Sequence, residues 1–191
     1  MKVMILNGSG QNDHPLDNIH DMIMDQLAVN NWDAESFALH QLSITHCTGC
    51  FDCWTKTPGI CKFNDDGRQI AEAFIKSNLV VFFTPVTFGG YSSELKKALD
   101  RIICLIAPYF MKINGETHHQ PRYEKYPMLM GIGVLPQPES NCEQIFNTLI
   151  SRNALNFHSP CHFSAIIFGN QSDDEKKETA QNLFSALEVV K

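Results

Sequence analysis

The 191-residue chain lacks the long apolar run, the basic patch and the internal repeats that identify several classes of protein. No segment approaches the roughly 20 apolar residues that a membrane-spanning helix requires. Lysine and arginine total 15 against 21 acidic residues, and no cluster of cations offsets the net charge of -6. The sequence therefore predicts neither a membrane protein nor a protein that binds nucleic acid.

The N-terminal segment lacks the apolar length of a signal peptide, because residues 3–6 are followed at once by a glycine turn. The sequence therefore predicts a cytoplasmic protein. Its seven cysteines are odd in number and four of them lie close together, which favours metal or redox chemistry over a secreted disulfide scaffold. A length of 191 residues suits one domain, residues 1–191, with a substantial core.

Five apolar segments alternate with five amphipathic helical patterns. The predicted strands cover 3–6, 32–39, 79–83, 127–134 and 161–168, and the predicted helices cover 16–28, 66–77, 92–106, 139–150 and 173–190. This alternation predicts an α/β fold, a parallel sheet with helices on both faces. Right-handed crossovers favour the doubly wound order 2-1-3-4-5, with a ligand between the first and third strands. Residues 111–126 are expected to form a solvated loop with a turn at Asn114-Gly115.

The stretch from residue 79 to residue 101 is predicted to form the centre of the binding site. Residues 79–83 are all apolar, which is typical of a strand buried on both faces. In the loop that follows, Pro85 fixes its own φ, while Gly89 and Gly90 let a ligand approach the backbone. A strand, a loop and the start of a helix together predict a crevice at the carboxyl end of the sheet.

A second candidate is the loop of small residues between Asn7 and His14. Backbone N–H groups and the dipole of the following helix can bind a phosphate there without lysine or arginine. The loop matches neither the G-x-G-x-x-G pattern nor the Walker pattern, which weakens a dinucleotide or ATP interpretation. The alternative is a simple turn between a strand and a helix.

Four cysteines form a third candidate site with the spacing C-x2-C-x2-C-x7-C. They are Cys47, Cys50, Cys53 and Cys61. Thiolates at such short intervals are suitable ligands for an iron–sulfur cluster or zinc. A reversible disulfide and free thiols are the alternatives, because a disulfide depends on a Cα separation that spacing does not define.

These motifs resemble those of flavodoxin-like NAD(P)H-dependent FMN oxidoreductases. Residues 84–101, TPVTFGGYSSELKKALDR, resemble the loop and helix that hold the isoalloxazine ring in that family. Gly8 and Ser9 match its phosphate loop, whereas Gln11 replaces an arginine, Gly10 a proline, and residues 14–16 a Gly-Asn-Thr. The resemblance implies a flavodoxin-like fold and an FMN site made of Ser9, Gly10, Gln11, Asn12, Pro85, Val86, Thr87, Phe88 and Gly89.

The cysteine spacing resembles the compact motif of iron-sulfur flavoproteins, a branch of the same superfamily that carries a [4Fe-4S] cluster beside FMN. The following Asp65-Asp66-Gly67 strengthens this likeness. It implies that the four cysteines bind a cluster, although related enzymes keep similar cysteines without one.

The resemblance implies an oxidoreductase whose FMN accepts hydride from NAD(P)H and passes electrons to a quinone, a nitro or azo compound, or another flavin. No catalytic side chain is predicted, because the flavin carries the chemistry. A wide apolar stripe on helix 92–106 predicts a homodimer. Two alternatives are an iron–sulfur electron carrier with a ferredoxin-like partner, and a metal-stabilised interaction module that binds no flavin.

Overall fold

The computed structural model describes residues 1–11 and 13–188, so Asn12 and the end of the last predicted helix lie outside the description. The strands are β1 Lys2–Asn7, β2 Asp33–Ala38, β3 Leu79–Pro85, β4 Ile106–Ile113, β5 Glu116–Pro121, β6 Met128–Leu135 and β7 His162–Phe168. The helices are α1 His14–Val29, α2 Asp52–Thr55, α3 Asp66–Lys76, α4 Ser93–Arg101, α5 Ser140–Asn156 and α6 Asp173–Glu188, with 3-10 turns at Leu39–Gln41 and Ile102–Leu105.

The central sheet is parallel and has the order β2-β1-β3-β6-β7. This confirms the predicted doubly wound order, since the fourth and fifth predicted strands are β6 and β7. Successive residues of β3 point to opposite faces: Val80 and Phe82 pack with α3, α4 and α5, whereas Val81 and Phe83 pack with α1 and α6. Helices therefore cover both faces, and the strands are buried because they are apolar on both sides.

The connection between α4 and β6 differs from its prediction. Helix α4 ends at Arg101 rather than residue 106, and the chain passes through the 3-10 turn into β4. The last turn of the predicted helix tightens into 3-10 geometry, which is frequent at the C-termini of α-helices. Ile102, Cys104, Leu105 and Ile106 are buried in the core, but in a 3-10 turn and the start of a strand instead of a longer helix.

The predicted solvated loop is instead an antiparallel hairpin of β4 and β5. Its turn lies at Asn114-Gly115, as predicted, and both residues have positive φ, as the favoured two-residue hairpin turns require. His118 is buried and bonds Asn156 of α5 through Nδ1 at 3.0 Å. His119 packs between the rings of Trp54 and Phe110, with centroids 4.9 and 4.8 Å away. The prediction of a loop failed because two of these anchors, Trp54 and Asn156, come from distant parts of the chain.

Candidate functional site

The loops after β1 and β3 lie side by side at the carboxyl edge of the sheet. The Gly8 N–H donates to the Phe83 carbonyl at 2.8 Å. The Ser92 hydroxyl donates to the Gly8 carbonyl at 2.7 Å and accepts a bond from the Leu95 N–H at 3.2 Å, so one side chain caps α4 and holds the first loop. The structure therefore joins the predicted phosphate loop directly to the predicted ring loop.

A cavity of about 450 Å³ adjoins the first loop. It is lined by Gly10, Gln11, His14, Asp17, His40 and Gln41. The sequence predicted Gly10 and Gln11 as phosphate contacts, whereas neither histidine was predicted to lie in the site. His14 begins α1, while His40 comes from the 3-10 turn after β2 and carried no local signal in the sequence.

Ser9, a predicted phosphate ligand, is buried at the base of the first loop with 1% of its surface exposed. Its N–H donates to the Asn7 side chain at 2.9 Å, whereas its hydroxyl has no hydrogen-bond partner among the described residues. Buried hydroxyls are normally paired, so an orphaned one beside a loop of this kind fits a polar ligand that completes it.

The predicted ring loop is a tight turn that projects from the sheet. The N–H groups of Thr87 and Gly90 each donate to the other residue's carbonyl, at 3.0 and 2.9 Å. Phe88 and Gly89 between them have φ of 50° and 78°, and the Phe88 side chain is 96% exposed. Behind the turn, the Val86 N–H donates to the Val134 carbonyl at 2.9 Å. The loop is therefore held by its backbone and presents an aromatic side chain at its tip.

A larger cavity of about 810 Å³ lies on the α4 and α5 side of this loop. Gly90 and Tyr91 border it, together with the rings of Phe51, Trp54 and Phe157. Tyr91 OH accepts a bond from the Asn153 amide at 2.7 Å, and burial raises the pKa of this phenol. The cavity offers apolar walls and aromatic surface next to the ring loop.

All four clustered cysteines border the larger cavity. Cys47 and Cys50 are exposed, Cys61 is partly buried and Cys53 is buried. Soft thiol ligands of this number would suit a cluster or zinc. In the part of the chain that the structure describes, however, no three or more His, Cys, Asp or Glu side chains are grouped to hold a metal ion. The donor set fits a metal, whereas the observed arrangement does not.

The cysteine thiols differ in their protonation. A hydrogen bond from the Asp52 backbone lowers the pKa of the Cys50 thiol. Burial raises the pKa of Cys53, with a further contribution from the charges of the three neighbouring cysteines. Burial also raises the pKa of Cys104 to about 12. Because the thiolate is the reactive form, these thiols should differ in their rates of alkylation.

We expect iodoacetamide at pH 8 to modify Cys50 well before Cys53, and to leave Cys104 unmodified in the folded protein. Peptide mass spectrometry after timed quenching measures the order. Protein unfolded in guanidinium is the control, where the sites should react at similar rates. Modification of Cys104 as fast as Cys50 under native conditions would contradict the structure.

The cysteine segment is anchored by a buried ion pair. Arg101 is 2% exposed and donates two bonds of 2.8 Å to the Asp65 carboxylate. Arg101 also donates to the Thr45 carbonyl at 2.6 Å, while Asp65 accepts from the N–H groups of Thr45 and Gly67. This network joins α4, the start of α3 and the chain that leads into the cysteines, and it gives Arg101 a structural role.

The doubly wound sheet, with a small-residue loop and a glycine turn at its switch point, defines a flavodoxin-like protein. Residues 1–141 match the model of the NADPH-dependent FMN reductase family, and the chain belongs to this family. This membership confirms the resemblance found in the sequence.

Solved structures of the same fold include two oxidoreductases. An FMN-dependent NADH-azoreductase from Bacillus anthracis is 13% identical, with a TM-score of 0.68 and full coverage of both chains. An NAD(P)H:quinone oxidoreductase from Methanothermobacter marburgensis is 14% identical, with a TM-score of 0.65 and coverage of 95% of this chain and 94% of that one. At these identities the likeness establishes the fold.

Similar curated proteins include an iron-sulfur flavoprotein of Methanocaldococcus jannaschii, 28% identical over 101 residues, which are 53% of this chain and 51% of that protein. An iron-sulfur flavoprotein of Archaeoglobus fulgidus is also 28% identical over 101 residues. The chain spans about half the length of the curated relatives it matches. No helix among the described residues has the length and apolarity that crossing a membrane demands.

Proposed function

We propose that this protein is an FMN-dependent oxidoreductase that transfers electrons from NAD(P)H to a small acceptor. The observation that carries the proposal is the Ser92 hydroxyl bond to Gly8, which places a phosphate-type loop and a backbone-rich turn side by side at the switch point of the sheet. The family membership of residues 1–141 supports the same cofactor. Similar solved structures are named as azo and quinone reductases, which supports acceptors of those classes.

In this proposal the FMN phosphate contacts Ser9, Gly10 and Gln11, with Asn12 outside the described residues, and the ring contacts residues 85–89. The orphaned Ser9 hydroxyl gains a partner there. Bound FMN would supply hydride acceptance and electron transfer. The chain's own residues position the ring through the Thr87–Gly90 backbone turn, and the apolar cavity beside Tyr91 gives a planar acceptor room away from water.

The test is uptake of flavin by the purified protein under anaerobic conditions. We expect one FMN per chain, with flavin absorption bands, and oxidation of NADH or NADPH when a quinone, nitro or azo compound or free flavin is present. FMN at 100 times its Kd should stabilise the fold by about 2.7 kcal/mol. A thermal melt with and without FMN measures this shift. A protein that takes up no flavin and gains no thermal stability would refute the proposal.

A second candidate function is supported by the four cysteines at one cavity and by relatives named iron-sulfur flavoproteins. In it, residues 47–61 rearrange around a [4Fe-4S] cluster and the protein exchanges single electrons with a ferredoxin-like partner. Iron assays on the same anaerobic sample separate this carrier from a simple flavin reductase. Zinc in a colourless sample would instead favour the metal-stabilised interaction module.

We further propose that the protein is a cytoplasmic homodimer. Several large apolar side chains are exposed, among them Phe88 on the ring loop, Tyr109 and Phe110 on the hairpin, and Ile145 on α5. Covering such side chains is a common reason for association. Light scattering coupled to size-exclusion chromatography tests this state, and a mass of 21.6 kDa at all concentrations would contradict it.

A further inference from the structure

The cavity beside the first loop has few sources of positive charge for a phosphate site. Of the six described residues that line it, only His14 and His40 can become cationic, while Asp17 is acidic. A phosphate dianion is normally held by charge-assisted hydrogen bonds, most often from arginine or lysine. Any cationic contact from these walls must therefore come from a histidine, and an imidazole is cationic only when protonated.

The hydrogen bond of His40 determines which of its nitrogens can serve a ligand. Nδ1 lies 3.2 Å from the Ser9 carbonyl. A carbonyl can only accept, so Nδ1 carries a proton whether the ring is neutral or charged. In the neutral ring Nε2 is then a lone-pair acceptor and repels a phosphate oxygen. A second proton turns Nε2 into a charged donor, so His40 can donate to phosphate through Nε2 only as the imidazolium.

His14 differs from His40 because it lies near a carboxylate, which competes with a phosphate for its proton. Its Nδ1 lies 3.5 Å from Asp17 Oδ2, one helical turn along α1, and both side chains are well exposed. A protonated His14 offsets the charge of Asp17, which would otherwise oppose a dianion in the same cavity. The two histidines therefore have different roles: His14 offsets the charge of Asp17, and His40 remains available to a ligand.

We propose that protonation of His40 controls how tightly this protein holds the phosphate of FMN, with His14 acting to neutralise Asp17. The inference rests on the proposed function, because it takes the phosphate to lie in this cavity. It makes retention of the cofactor dependent on pH near neutrality, and it gives the first loop a cationic contact that its backbone and Gln11 do not provide.

The expected pH dependence has a definite sign. A phosphate monoester becomes a dianion around pH 6, and a neutral His40 cannot donate to it through Nε2. FMN affinity should therefore fall as the pH rises towards about 8.5 and the second proton of His40 is lost. Riboflavin has the same ring without the phosphate, so its affinity should stay nearly constant. The ratio of the two dissociation constants isolates the phosphate contribution.

The experiment measures the Kd of FMN and of riboflavin for the apoprotein by quenching of flavin fluorescence between pH 6 and pH 8.5. In the wild-type protein the preference for FMN should fall about tenfold over this range, the size expected for loss of one charge-assisted bond. In His40→Asn, the amide can still donate to the Ser9 carbonyl but reaches no phosphate, so the preference should be low and independent of pH.

His40→Gln provides a second arm, because its amide nitrogen can stand near the position of Nε2 and is a neutral donor at every pH. Its preference for FMN over riboflavin should lie between those of the wild-type protein at low pH and His40→Asn, and should not change with pH. His162→Gln, an exposed position on β7, is the matched control and should keep the wild-type pH profile. Circular dichroism and thermal melting of each variant show that any change is not a loss of folding.

The outcomes distinguish an error in the role of His40 from an error in the proposed flavin binding. A wild-type preference that does not change with pH, or a His40→Asn variant that keeps the wild-type slope, would overturn the role of His40 while flavin binding stands. Failure of the folded wild-type protein to bind either flavin would reject the proposed function itself.

Discussion

Asp65→Asn is expected to lower the free energy of unfolding by about 3–5 kcal/mol, the cost of leaving a buried charge without its partner. Arg101 is almost fully buried, and both of its bonds of 2.8 Å end on the Asp65 carboxylate. An amide keeps the shape of the side chain but has no charge and can accept through only one oxygen. Urea denaturation at pH 7 measures the loss.

The matched control is Asp100→Asn on the same side of the molecule. Asp100 pairs with Lys96 one turn away on α4, and both side chains are about half exposed. Exposed pairs of this kind contribute at most about 1 kcal/mol. Equal losses for Asp65→Asn and Asp100→Asn would contradict the structural role of the Arg101–Asp65 pair.

The same pair predicts how stability depends on pH. The Arg101 guanidinium bonded to Asp65 holds the pKa of that carboxyl well below its usual range. A carboxyl with a depressed folded pKa stabilises the fold above its unfolded value of about 3.9 and loses that contribution as the pH falls further. The difference in free energy of unfolding between the wild-type protein and Asp65→Asn should therefore be constant from about pH 5 to 7. It should become smaller below about pH 4.

Gly8→Ala is expected to disrupt the contact between the two loops of the site. A Cβ on Gly8 would lie 2.7 Å from Ser92 Oγ and 2.9 Å from Leu95 Cβ, and the Leu95 Cβ is fixed by the α4 backbone. The first loop or the start of α4 must then move, and the Ser92 bond to the Gly8 carbonyl is lost. We expect a loss of about 1–3 kcal/mol in stability from overpacking.

The same substitution should weaken FMN binding by roughly tenfold or more. If the displaced loop loses contacts with FMN worth ~1.4 kcal/mol, the Kd of FMN rises tenfold. Flavin fluorescence titration measures the affinity and a thermal melt measures the stability. Gly10→Ala is the control for stability: among the described residues other than its two chain neighbours, no heavy atom lies within 4 Å of a Cβ there, so its melting should match the wild-type protein. A Gly8→Ala variant with unchanged melting and FMN affinity would mean that the two loops are not coupled as the structure places them.

Local patterns in the sequence predicted much of the scaffold. The apolar run in β3 indicated a strand buried on both faces, and the spacing of Leu16, Ile19, Ile23 and Leu27 indicated the buried face of α1, whose four buried residues these are. Gly89 and Gly90 indicated a loop that precedes a helix, and the structure begins that helix at Ser93 with the Ser92 hydroxyl as its cap. Each of these signals depends on neighbours within a few positions of the chain.

Local patterns predicted only part of the candidate site. His40 reaches the Ser9 carbonyl across 31 positions, and nothing near His40 in the sequence distinguishes it from an exposed polar residue. The four cysteines had a spacing suited to a metal, but spacing does not determine where the thiols point. Whether they converge on one centre depends on the conformation of the segment and its packing against α4 and the hairpin.

The sequence by itself determined the class of fold, because alternating apolar and amphipathic segments specify which surfaces must be buried, and a parallel sheet covered by helices satisfies them. Only the tertiary structure decided the early end of α4, the β4–β5 hairpin, the Arg101–Asp65 pair and the histidine-lined cavity. These features join residues far apart in the chain. Periodicity within one segment contains no information about which distant segment it will meet, so such contacts are set only when the helices and loops pack onto the sheet.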